Sequence, residues 1–107
     1  MKQSYAKEVW IEENAKKEFY KFPRATRESF TSLIKELGDM GELEYPNARK
    51  LSGYDLFEMR VKNDGIYRCI YSYIKDNIVI LCAFKKKTQK TPENELTKAI
   101  KRKINLM

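Results

Sequence analysis

Histidine is absent from all 107 residues, and only two cysteines, Cys69 and Cys82, are present. Without imidazole and with so few soft ligands, a zinc site and a histidine-based catalytic triad are both excluded. No metal or cofactor is expected, and any catalysis must run on Arg, Lys, Glu, Asp, Tyr or Ser. The two thiols fall in strand-like segments and read as packed side chains instead of a disulfide framework. No window is both uncharged and long enough to span a membrane. The stretch MKQSYAKEVWIEE lacks the apolar run of a signal peptide. The expectation is a folded protein of the reducing cytoplasm with no membrane association.

What the chain does have is positive charge. Lys and Arg number 22 against 15 Asp and Glu, a net charge of +7 that favours polyanionic partners such as nucleic acid or an acidic protein. With 42% hydrophobic residues there is enough apolar material for one core, and the length suits a single domain over residues 1–107.

Residues 4 to 11, SYAKEVWI, alternate as a strand does, with Tyr5, Val9 and Ile11 on one side and Ala6 and Trp10 on the other. Glu12 and Glu13 suit the positive end of a helix over residues 12 to 22, in which Ala15, Phe19 and Phe22 recur at helical spacing. Pro23 fits the first turn of a second helix whose stripe is Phe30, Leu33, Ile34 and Leu37, and Gly38 and Gly41 mark where it should stop. Residues 39 to 53 read as a loop, with a short pairing segment near Arg49 to Leu51. Three strands follow, YDLFEMRVK, IYRCIYSYI and NIVILCAFK, ending in the basic run KKKTQKTP. Thr91 is the expected N-cap of a last amphipathic helix with Leu96, Ala99, Ile100 and Ile104 on its apolar side. Lys98, Lys101, Arg102 and Lys103 form its solvated side.

Strands alternate their side chains, so Phe57, Met59 and Val61 face the core while Leu56, Glu58, Arg60 and Lys62 face away from it. Tyr67, Tyr71 and Tyr73 fall on the core face; Tyr54, at a strand start, suits either core or a base-stacking platform. Asn63, Asp64 and Gly65 make a three-residue hairpin loop, which pairs Lys62 with Ile66 and Arg60 with Arg68. A turn centred on Asp76 and Asn77 pairs Lys75 with Ile78, and the same counting sets Arg68 opposite Lys85. Like charges directly opposite cost up to roughly 1 kcal/mol, so a row of Arg60, Arg68 and Lys85 requires an anion. Two readings stand. Glu58, diagonal to Arg68, is an internal partner on an otherwise solvated face; or the surplus of Arg60, Arg68 and Lys85 to Lys87 over one carboxylate makes a phosphate site. Beside that row, KKKTQK forms a track suited to a nucleic-acid backbone.

The order of elements, with LFEMRV followed by GIYRCIY, then ILCAFKKKTQKTP and the spaced Glu, Ala and Arg of NELTKAIKR, resembles the RelE/ParE toxin superfamily. Within it, FKKKTQKTP is most similar to the HigB-like, phage-derived toxins of type II toxin–antitoxin modules. The resemblance covers nearly the whole chain, and Leu56 to Arg102 is its specific part. It implies an α+β, RelE-like fold: an N-terminal strand and helical hairpin packed on an antiparallel sheet with a three-stranded meander, then a C-terminal helix. It also implies a cytoplasmic toxin that cleaves messenger RNA, often on the ribosome, and is held inactive by an antitoxin from the same operon, expected to be a helix-turn-helix protein.

Carried over by residue, Arg60 and Arg68 match the family's cationic positions on the second and third strands, and Lys85 to Lys87 match the basic positions after the last. The implied catalytic set is Arg68, Arg60, Lys86 and Glu58, with Lys62, Lys85, Lys87 and Lys90 as RNA contacts. The 2′-hydroxyl would attack the adjacent phosphate while the cations, Arg68 foremost, stabilise the added charge. Members that use a C-terminal tyrosine or a histidine for proton transfer are no guide here, because no tyrosine follows Tyr73. Glu58 as base and one lysine of Lys85 to Lys87 as acid are the remaining candidates. ParE-like members target DNA gyrase instead, and a non-catalytic nucleic-acid-binding module is a third reading. The cation row and the lysine track favour RNA cleavage.

Overall fold

The computed structural model describes residues 6–51, 53–87 and 90–107. Within them the chain runs β1 (Val9–Ile11), α1 (Glu13–Tyr20), α2 (Arg24–Met40), β2 (Ala48–Leu51), β3 (Leu56–Lys62), β4 (Ile66–Ile74), β5 (Asn77–Lys86) and α3 (Glu93–Leu106). The sheet order is β1-β5-β4-β3-β2. The strands from β2 to β5 pair antiparallel as expected, and β1 adds at the edge parallel to β5. The expected α+β architecture is present, with β1 shorter than its alternating pattern; Tyr5 lies outside the described residues.

Helices α1 and α2 cover one face of the sheet. Glu12 caps α1, its Oε1 accepting from the Asn14 and Ala15 amides at 2.7 and 2.8 Å. Ala15, Phe19, Phe22, Phe30 and Leu37 then pack on Met59, Tyr67, Cys69, Tyr71, Ile78 and Ile80. Phe30 has no exposed surface, and cutting such a ring to alanine typically costs about 3–5 kcal/mol. Helix α2 does not stop at Gly38. It runs to Met40 and ends at Gly41, whose φ of 81° is the left-handed cap that glycine adopts without strain. Gly38 serves a different purpose: its carbonyl accepts from the Lys7 amide at 2.8 Å. A Cβ there would lie 3.2 Å from the Lys7 carbonyl oxygen and 3.3 Å from Val9 Cγ2, so the missing side chain lets the N-terminal segment approach.

The other face is not simply solvated. Leu51, Leu56, Ile70, Val79, Leu81, Cys82 and Phe84 form a second core with Leu96, Ala99 and Ile100 of α3. Leu56 and Glu58, expected to face away from any core, are therefore buried at 1% and 2% exposure. Ile104, expected on the apolar stripe of α3, is 63% exposed because it lies beyond the end of this contact. Both cysteines are free, buried thiols, and burial raises the pKa of each.

The basic side of α3 is only partly a solvated face. Arg102 donates through Nη1 and Nη2 to the two Glu18 oxygens at 2.9 and 3.0 Å, and through Nη1 to the Leu81 carbonyl at 2.9 Å. Lys98 reaches Glu18 Oε2 at 3.1 Å. Burial works to raise the Glu18 pKa, but the bonds from Arg102, the Ala83 amide and Lys98 outweigh it, and the net direction is down. These contacts tie α3 to α1 and β5. Among the described residues, no helix is long and apolar enough to cross a membrane.

Candidate functional site

The hairpin between β3 and β4 forms as its loop chemistry dictates. Gly65 takes a φ of 126° and Asp64 one of 52°, Lys62 pairs with Ile66, and Arg60 pairs with Arg68. The two arginines are directly opposed but differ in environment: Arg60 is exposed, and Arg68 is only 2% exposed. Strand β2 adds a further cation, because Arg49 lies directly across from Glu58.

Glu58 is the anion of this group. Its Oε1 accepts from Arg68 Nη1 and from Arg49 Nε at 3.3 Å, and its Oε2 accepts from Thr91 Oγ1 at 2.8 Å. The diagonal pairing of Glu58 with Arg68 expected from the register is thus present. Both members of this pair are buried, so removing the carboxylate would leave the Arg68 charge uncompensated away from water, a costly arrangement. Thr91 is not the cap of α3; Pro92 occupies that position with no side-chain cap bond, and the Thr91 hydroxyl goes to Glu58 instead.

The register between β4 and β5 differs from the expected one. Ile74 pairs with Asn77, so the turn residues are Lys75 and Asp76, with Lys75 at a φ of 56°. That slip alone would leave Lys85 on the Arg68 face, since both strands move by one. The decisive feature is a bulge: Tyr71 pairs with Ile80 but Ile70 with Cys82, leaving Leu81 unpaired. Beyond it, Arg68 pairs with Phe84, not Lys85. Lys85 turns to the opposite face, its Nζ 5.6 Å from the Tyr67 ring centroid, and Lys86 joins the face of Arg60 and Arg68.

These side chains surround a cleft of about 120 Å³ lined by Tyr45, Pro46, Ala48, Arg49, Glu58, Arg60, Arg68 and Lys86. Arg49, Arg60, Arg68 and Lys86 bring four cationic groups to one carboxylate. Burial pushes the Arg68 pKa down; Glu58 opposes this, while Arg49 and Arg60 add to it. An arginine guanidinium is not deprotonated in proteins, so Arg68 remains a cation. Its Nε is buried with no hydrogen-bond partner among the described residues. Partial desolvation, followed by the nearby Arg68 and then Arg49 and Arg60, lowers the Lys86 pKa despite Glu58. Such a cleft can bind a phosphate and stabilise charge that builds on it.

Of the remaining candidates, Lys62 is exposed at the end of β3 on the Arg60 face, and Lys87 and Lys90 are exposed beyond β5. Thr88 and Gln89 of the lysine track lie outside the described residues. Tyr67 and Tyr71 are core, and Tyr73 packs against that core with its hydroxyl donating to the Gly41 carbonyl at 2.9 Å. Tyr54 is 42% exposed, away from this cleft. The sequence reading does not place Arg49, Thr91 or Tyr45 at this site. Arg49 had a usable signal, a short pairing segment beside a strand carrying Glu58; the other two depend on how loops cross the sheet. Among the described residues, no group of three or more His, Cys, Asp or Glu side chains could hold a metal ion.

The profile of the family described as phage-derived protein Gp49-like (DUF891) matches residues 17–103. No curated protein gives a significant match. Among solved structures, the free-state E. coli toxin RelE, carrying two arginine-to-alanine substitutions, superposes with a TM-score of 0.71 at 23% identity, covering 91% of this chain and 97% of that one. The RelB–RelE antitoxin–toxin complex of Methanococcus jannaschii contains a chain that matches with a TM-score of 0.61 at 20% identity, covering 72% of this chain and 89% of that one. At such identities the likeness is one of fold, and the family match spans most of the sequence. The chain belongs to the phage-derived Gp49-like family and is built on the RelE toxin fold.

Proposed function

We propose that this protein is the toxin of a type II toxin–antitoxin pair and that it acts as a messenger RNA endoribonuclease on translated transcripts at the ribosome. The observation that carries this reading is the cleft in which Arg49, Arg60, Arg68 and Lys86 surround the single carboxylate Glu58. After Glu58 is offset by Arg68, a surplus of positive charge remains for a phosphodiester. Arg60 and Arg68 grip the non-bridging oxygens of the scissile phosphate, and Lys86 stands at its edge. The 2′-hydroxyl attacks the phosphorus, its proton passing to water, and the bond from phosphorus to the 5′-oxygen breaks. Lys86, its pKa lowered, gives the leaving oxygen a proton. The products are a 2′,3′-cyclic phosphate and a 5′-hydroxyl.

Glu58 is a positioning residue in this scheme. Both its oxygens are occupied, and it fixes the guanidinium groups instead of taking a proton. Preorganised charge of this kind is worth about 10²–10³ in rate per group removed. Lys62, Lys87 and Lys90 contribute backbone attraction along the strand, whereas Lys85 lies over the Tyr67 ring on the opposite face of the sheet. The net charge of +7 suits an acidic segment of an antitoxin, expected to be a helix-turn-helix protein from the same operon, that covers the cleft.

Incubating the purified protein with programmed ribosomes and with free RNA, then identifying the product ends, tests the reading. Cyclic phosphate and 5′-hydroxyl ends support it. Intact RNA together with inhibited DNA gyrase would assign the chain to the gyrase-directed branch of the fold instead.

A further inference from the structure

Tyr45 lines the same cleft as Arg60, Arg68 and Lys86, yet it is 80% exposed. Single exposed aromatics are common and by themselves mean little. The segment carrying this one, however, is tied to the cation cluster. The Asn47 and Ala48 amides donate to the Glu44 carbonyl at 3.0 and 3.2 Å, and the Asn47 carbonyl accepts from the Arg60 amide at 3.1 Å. The backbone beside Tyr45 is therefore bonded to the strand position that carries one of the phosphate-binding cations.

Four other tyrosines have partners for their rings. Tyr67, Tyr71 and Tyr73 make ring contacts within the core, and exposed Tyr20 has the Arg27 guanidinium 5.8 Å from its centroid. Tyr45 has no ring contact, hydrogen bond or cation over its face among the described residues.

Resting on the reading of the cleft as an RNA phosphate site, we propose that Tyr45 is a stacking platform for a nucleobase of single-stranded RNA. It takes the base flanking the phosphate held by Arg60, Arg68 and Lys86. A single strand presents a base within one nucleotide of each phosphate, so an exposed ring at the rim of a phosphate cleft, on a segment bonded to the Arg60 strand, is placed to meet it. Stacking of this type is tolerant of base identity, so Tyr45 supplies affinity and alignment and leaves sequence choice to other contacts.

The protein can be titrated with a fluorescent 2′-O-methyl oligoribonucleotide, which cannot be cleaved, and with inorganic polyphosphate, which has phosphates and no bases. Tyr45→Ala is expected to weaken oligonucleotide binding about tenfold and to leave polyphosphate binding unchanged, with Tyr45→Phe and Tyr45→Trp restoring the oligonucleotide affinity. Equal oligonucleotide affinity for wild type and Tyr45→Ala would overturn the stacking role while leaving the cleft as a phosphate site. Wild type binding neither polymer would overturn both. A parallel loss of both ligands in Tyr45→Ala would also overturn stacking, since a base-free polymer has nothing to stack.

Discussion

The Thr91 hydroxyl donates to Glu58 Oε2 at 2.8 Å, so the residue just ahead of α3 holds the carboxylate that holds Arg68. Docking of the C-terminal helix and the geometry of the cation cluster are thereby joined through one buried side chain. Thr91→Val keeps the shape but removes the donor. It is expected to cost about 1–3 kcal/mol, measured by urea unfolding, and to lower RNA cleavage, whereas Thr91→Ser retains both.

Removing the carboxylate itself has a larger effect. In Glu58→Ala the Arg68 side chain, 3% exposed, is left buried without a counter-ion. A loss of about 3–5 kcal/mol is expected. Replacing Glu58 and Arg68 together by apolar residues should recover much of that stability without recovering activity, a pattern that a double-mutant cycle in denaturant resolves.

Acid should loosen α3. The Glu18 pKa lies below its ordinary value of 4.5 when folded, so the native state favours the charged form. That contribution is fully present above 4.5 and is lost as pH falls through the lower, folded value. Comparing urea midpoints at neutral pH and at about pH 3 tests this: wild type should lose more stability on acidification than Glu18→Gln, which has no proton to take up.

Lys86 gives a pH signature of its own. Because its pKa is lowered from 10.5, cleavage that needs its proton declines on the alkaline side before an ordinary lysine would titrate. Lys86→Arg should move that limb to higher pH, and Lys86→Ala should remove it together with most of the rate. Profiles of kcat/KM against pH for the three proteins make the comparison.

Much of this was legible in the sequence because its signals were local. Hydrophobic period placed the helices, and the loop of Asn63, Asp64 and Gly65 fixed the pairing of Arg60 with Arg68. The register of β5 was not, since a bulge at Leu81 leaves no turn residue to mark it, and that one unpaired residue exchanges Lys85 for Lys86 at the cleft. Thr91 shows the same limit. Its sequence context, ahead of Pro92 and a run with Glu93 and Glu95, suits a helix cap, but its hydroxyl donates to Glu58, a buried carboxylate 33 residues away that nothing local marks. Glu18 and Arg102 are 84 residues apart, and nothing local in either helix announces their pairing.

If the cation cleft cuts RNA, loss of Arg60 shows it most cleanly, because this side chain is exposed and can be removed without stranding a buried charge. Wild type and Arg60→Ala, shown to unfold at the same urea concentration, would be induced in growing bacteria and transcript 5′ ends mapped across the transcriptome. The expected result is growth arrest with new 5′-hydroxyl ends inside translated frames for wild type, and a reduction of about 10²–10³ in those ends for Arg60→Ala. Equal cleavage by both proteins, or arrest with intact transcripts, would contradict it.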